Sequence, residues 1–158
     1  MTAETPTIHA SAVLIGPKAV LIRGPAGAGK SRLAFDLLQT AERGALPFAR
    51  LVADDRAHVE ARGGRLLVRP APALAGLIEI RGLGIRRVAF EPVAAVAIVA
   101  DLAATDAARH PAAGADQTTI EGVALPRLAV APDVPALALL LAFIALSRPA
   151  IDLSLIHI

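Results

Sequence analysis

Cysteine is absent from the 158 residues, so neither a disulfide framework nor a thiolate metal site is available, a composition that fits a reducing interior. Trp and Tyr are missing as well, and aromatics amount to 3%. That removes the stacking platform on which single-stranded nucleic acid is bound and leaves the core to Ala, Val, Leu and Ile. Charge is sparse: 16 Lys and Arg against 14 Asp and Glu leave a formal net charge of +2. The sequence pI of about 9.9 reflects Arg outnumbering Lys rather than a dense positive field, so nucleic acid is not an expected partner. The start, M-T-A-E-T-P-T-I-H, lacks the basic stretch and apolar core of a secretory signal, and a cytoplasmic location is expected. No apolar run reaches the roughly 20 residues that span a bilayer. The longest, V-P-A-L-A-L-L-L-A-F-I-A-L at 134–146, stops at Ser147-Arg148-Pro149. A membrane is therefore not an expected partner, and a helix apolar all round is expected to be covered by the core or by another subunit.

The chain does offer a high apolar content, 55% hydrophobic residues with a mean hydropathy of +0.60, enough for one domain over 1–150. The tail I-D-L-S-L-I-H-I at 151–158 has no clear role and reads as an expression remnant. Apolar and β-branched runs predict strands at 7–15 and 19–23 about the turn Gly16-Pro17, then at 50–53 and in a hairpin over 58–68 around Arg62-Gly63-Gly64-Arg65. Further strands are predicted at 77–80, 88–90, 93–102 and 118–130, with a mobile loop at 105–117. Leu33, Ala34, Leu37 and Leu38 recur at helical spacing over 30–40, and the 134–146 run gives a second helix. One early helix in a strand-dominated chain is α/β, with mixed sheets rather than the regular alternation of a doubly wound sheet.

Between the second strand and the first helix stands Gly24-Pro25-Ala26-Gly27-Ala28-Gly29-Lys30-Ser31, the spacing of a phosphate loop. Gly24, Gly27 and Gly29 let successive N–H groups converge on phosphate oxygens, and the following helix aims its positive end at the same place. Lys30 would balance phosphate charge and the Ser31 hydroxyl would ligate Mg²⁺. Such a loop specifies a nucleotide, not a reaction. L-V-A-D-D then ends a strand with Asp54 and Asp55, whose side chains diverge, so that one can face the nucleotide while the other supports it or caps a turn. In I-E-I-R-G-L-G-I, Glu79 and Arg81 share a strand face before Gly82 and Gly84, either a functional edge or a salt-bridging surface strand.

I-H-A at 8–10, G-P-A-G-A-G-K-S, L-V-A-D-D and E-I-R-G-L-G-I, in this order and at these separations, resemble the catalytic C-terminal domain of HPr kinase/phosphorylase. The resemblance runs from about His9 to the apolar helix, without the family's N-terminal domain. It implies a strand-rich phosphate-loop fold related to phosphoenolpyruvate carboxykinases and an ATP- and Mg²⁺-dependent kinase acting on a serine of the phosphocarrier protein HPr. It further implies Asp54 as the catalytic carboxylate supported by Asp55, His9 near the phosphates, and Glu79 joining Ser31 at the metal. Residues 24–31 and Arg81 would bind the nucleotide, and a homo-oligomer, a hexamer in the family, would be the assembly. A lone His beside a strand is more commonly a packing residue, so the His9 role rests on the resemblance alone.

Two departures stand out. Phe90-Glu91-Pro92-Val93-Ala94-Ala95 replaces the family's small Gly-Ala-Gly loop, and Pro135-Ala136-Leu137 replaces the Gly-Arg-Asn before the last helix. The family ties that Arg to phosphorolysis, which leaves the reverse reaction open here; Arg127, in L-P-R-L, is the cation that could serve nearby. A nucleotide-binding regulatory module without transfer, or a small-molecule kinase on the same scaffold, stay open as alternatives.

Overall fold

Apolar runs cut by glycine turns make ten strands and two helices in the computed structural model, which describes residues 7–108 and 112–147. The order is β1 (Thr7–Ile15), β2 (Lys18–Arg23), α1 (Lys30–Glu42), β3 (Ala49–Ala53), β4 (Arg56–Arg62), β5 (Arg65–Pro70), β6 (Leu77–Ile80), β7 (Gly84–Arg87), β8 (Ala94–Leu102), β9 (Gln117–Ile120), β10 (Val123–Val130) and α2 (Ala136–Ser147). Two expectations need correction. The 118–130 segment is two strands, because Glu121 and Gly122 take positive φ and reverse the chain. No strand forms at 88–90: the strand lies earlier, at Gly84–Arg87, where the Gly82 turn folds it back on β6, and Phe90 makes a single bridge to Leu51. The core covers one face of the apolar helix: Leu140 and Ile144 are buried, while Ala138, Ala142, Ala145 and Leu146 are exposed. Of the expected 105–117 loop, 109–111 lie outside the described residues, as does the 151–158 tail.

Two long strands hold the molecule together. The start of β1 pairs with β4, and the rest of it with β2 and β3. The start of β8 pairs antiparallel with β5, while its length runs parallel to β2 and β10. With β4 against β5, the ladders β1–β2–β8–β5–β4 return on themselves, so these five strands share no free edge between them. Alternation along the strands divides the core. Val13, Ile15, Val20, Ile22, Ile98 and Leu102 pack under Leu33 and Leu37 of α1 and Leu140 of α2. On the other face Ala12, Leu21, Val52, Val59, Leu66, Val68 and Val99 form a second cluster. The parallel trio β2, β8 and β10 thereby ends at one edge of the molecule, where the chain passes from β2 into α1.

Candidate active site

The β2-to-α1 connection is built for close backbone approach. A Cβ on Gly24 would lie 3.1 Å from both the Cβ and the carbonyl oxygen of Leu102, which pins the loop entry against the end of β8. Gly29 caps α1 at φ 100° with no side-chain cap, a left-handed conformation other residues adopt at a cost of about 1–2 kcal/mol. The first turn of α1 contains no acidic residue, so its N–H groups and positive dipole end stay available to an anion. Lys30 folds back, donating from Nζ to the carbonyl oxygens of Gly24 at 2.8 Å and Pro25 at 3.2 Å.

Asp54 and Asp55 occupy the tight turn between β3 and β4, where the Arg56 N–H donates to the Asp54 carbonyl and Ala10 N–H to that of Asp55. Asp55 has φ 68°, tolerable for an Asp, and this twist sends the two carboxylates opposite ways. Asp54 is buried and accepts from Ser11 Oγ at 2.6 Å, from Ser31 Oγ at 2.7 and 2.9 Å on its two oxygens, and from the Glu79 N–H at 3.2 Å. Asp55 is exposed and lines an open cleft of about 780 Å³ with Gly27, Lys30, Ser31, Glu79 and Arg81. Ala26 and Gly29 line it too. Gly24, Pro25 and Ala28 are not among its lining residues; Ala28 packs on the core instead. His9 is exposed beside Asp55, opposite Arg56 in the β1–β4 ladder, and does not line the cleft.

Two features escaped the sequence reading. Ser11, the only polar residue in A-S-A-V-L-I, is fully buried and holds Asp54; its sole signal was a hydroxyl inside an apolar strand. Behind the loop, Arg23 grips both oxygens of Asp101 at 2.7 and 2.8 Å. Arg127 donates to Asp101 and, with both terminal nitrogens, to Asp106 at 2.8 and 2.9 Å. Burial pushes the Asp101 carboxyl up, but hydrogen bonds from Arg23 and Arg127 outweigh it and hold the group below its ordinary value. The hydrogen bond from Arg127 also lowers Asp106, while Asp106 and Asp101 together raise Arg127. Arg127 is thus committed to carboxylates rather than standing free as a cation.

Comparison with known proteins follows the same lines. The family model for the HPr Serine kinase C-terminal domain matches residues 1–91. The HPr kinase/phosphorylase of Streptococcus thermophilus (strain ATCC BAA-491 / LMD-9) is 43% identical over 84 residues, 52% of this chain and 25% of that protein. That of Limosilactobacillus reuteri (strain DSM 20016) is 35% identical over 135 residues, 78% of this chain and 40% of that protein. The solved Hpr(Ser) kinase/phosphatase from Coxiella burnetii aligns with a TM-score of 0.70 at 25% identity, over 91% of this chain and 97% of that one. The chain spans at most two-fifths of the length of these curated relatives.

Proposed function

The chain belongs to the HPr serine kinase C-terminal domain family, and on that premise we propose that it transfers the γ-phosphoryl group of ATP to a serine of HPr, with Mg²⁺ as cofactor. The observation that carries this reading is the convergence of Lys30, Ser31, Asp55 and Glu79 on one cleft. Main-chain N–H groups of 27–31 and the start of α1 would grip the phosphates, and Lys30 would exchange its two carbonyl partners for phosphate oxygens. Ser31 and Glu79 are hard oxygen donors of the kind Mg²⁺ takes alongside substrate phosphates, and the cation, when bound, neutralises charge on the β- and γ-phosphates.

Geometry favours exchanging the roles first assigned to the two aspartates. Asp54, buried and already accepting from Ser11, Ser31 and Glu79, suits holding the Ser31 hydroxyl in place. Asp55, in the open cleft, suits the general base. The acceptor hydroxyl gives its proton to Asp55 as its oxygen bonds the γ-phosphorus, and the bond from that phosphorus to the β–γ bridging oxygen breaks to release ADP. His9, across from Arg56 in the β1–β4 ladder, stands outside the cleft lining, and Arg81 offers the nucleotide a cation from the cleft wall. A homo-oligomer belongs to the same reading, supported by the uncharged exposed stripe Ala138, Ala142, Ala145 and Leu146 on α2.

Incubating the protein with Mg²⁺, ATP and HPr is expected to yield phosphoserine on HPr. Asp55→Asn is expected to keep nucleotide affinity while losing transfer by about 10²–10⁴-fold, the usual worth of a general base. Nucleotide binding by the wild-type chain without phosphoserine on HPr would overturn the proposal.

A further inference from the structure

The β6–β7 hairpin is a separate two-stranded sheet, outside the main one. Ile78 anchors it in the core at 1% exposure, but every residue of β7 is exposed. Leu83 in its turn and Ile85 on β7 are 61% and 64% exposed, and among the described large hydrophobics Leu146 alone exceeds them. Arg86 donates to the carbonyl of its neighbour Ile85. Among the described residues no carboxylate pairs with Arg81, Arg86 or Arg87.

Register gives this surface a direction. Ile85 lies directly across from Glu79, and Arg87 across from Leu77. Residues opposite one another in an antiparallel pair share a face, so Ile85 and Arg87 stand on the exposed side of the hairpin with Glu79, away from the buried Ile78; Glu79 lines the cleft, together with Ile80 and Arg81 at the end of β6. Gly84 and Arg86 take the reverse side. A small ligand is usually held in a concavity, whereas protruding aliphatic side chains beside an unpaired Arg suit a macromolecular surface. The absence of any paired carboxylate makes the complementary surface acidic.

We propose that the Ile85 and Arg87 face of this hairpin, with Leu83 in its turn, is where the phosphoryl-accepting protein docks, through an apolar patch bordered by carboxylates next to its acceptor serine. The inference rests on the kinase reading and adds to it the surface that selects a protein acceptor. Docking beside the cleft would hold the serine hydroxyl near Asp55, converting a collision into an oriented encounter.

Steady-state kinetics with the full chain test this, using HPr as acceptor and a fluorescent ATP analogue to measure nucleotide affinity separately. The double variant Ile85→Ser/Arg87→Glu is expected to raise KM for HPr by about tenfold or more, the scale of losing a contact hot spot, with kcat and nucleotide affinity within about twofold of wild type. Arg86→Glu, on the reverse side, is expected to change KM by less than about threefold. An unchanged KM in the double variant overturns the inference. So does a loss of nucleotide affinity matching the rise in KM, which would assign these residues to the nucleotide. A fall in oligomer mass by light scattering with KM unchanged would assign the surface to a second copy of the chain and equally overturn it. If the wild-type chain binds nucleotide yet phosphorylates no HPr, the kinase reading itself fails, and this inference with it.

Discussion

Ser11 lies in the middle of β1 with no exposed surface, and its hydroxyl donates to an Asp54 oxygen at 2.6 Å. Removing it would leave a buried carboxylate one donor short, a loss of about 1–3 kcal/mol. Asp54 in turn accepts from Ser31 on both oxygens, so the deficit reaches the loop. Ser11→Ala is expected to lower the denaturant midpoint accordingly and to reduce kcat more than nucleotide affinity, whereas Ser11→Thr, which keeps the hydroxyl, should recover turnover. Equal losses in both variants would reduce Ser11 to packing. Adjacent carboxylates at 54–55 were plain in the sequence, and so was their divergence. Which of them faces inward was not, because that depends on Ser11, 43 residues away, being brought beside the end of β3 by the register Ala12↔Ala53.

Strands β2, β8 and β10 carry the glycine-rich 24–29 loop on a tied frame. Arg23, the last residue of β2, is held to Asp101 on β8, and Arg127 on β10 bridges Asp101 to Asp106. With the Gly24 entry packed on Leu102, moving one strand end shifts the loop. The Asp101 carboxyl is held below its ordinary value of 3.8. Its folded form therefore binds fewer protons than the unfolded chain near that pH, so its contribution is complete above 3.8 and drains away as pH falls further. Thermal midpoints measured from pH 7 down to pH 2 are expected to fall less steeply at the acid end for Asp101→Asn than for wild type, while starting lower at neutral pH. Parallel acid limbs would remove Asp101 from the transition. Nothing local in L-P-R-L announces these partners; Arg127 reads there as an unengaged cation, whereas tertiary packing surrounds it with carboxylates.

Across the molecule, one core cluster ties the helices to the strands that carry the loop. Leu140 of α2 is fully buried in the same cluster as Leu33 and Leu37 of α1, so α2 supports α1 from behind. Leu140→Ala is expected to cost about 2–5 kcal/mol through the cavity it leaves, read as a lower urea midpoint with an unchanged slope. A loss under about 0.5 kcal/mol, the scale of a surface change, would detach α2 from the core.

The strands and both helices draw on information held within a few residues, namely side-chain period, β-branching and glycine turns. Most of them were legible for that reason, down to Lys30 as the first residue of α1. The errors, a strand placed at 88–90 and β9 merged with β10, fell where positive-φ turns outweighed apolar character. Depth and partnership follow another rule. Which carboxylate is buried and which is exposed is set by groups 21 to 78 positions distant. Such neighbours are chosen when the five-strand ring closes and the core excludes water, and no short window of the chain contains them.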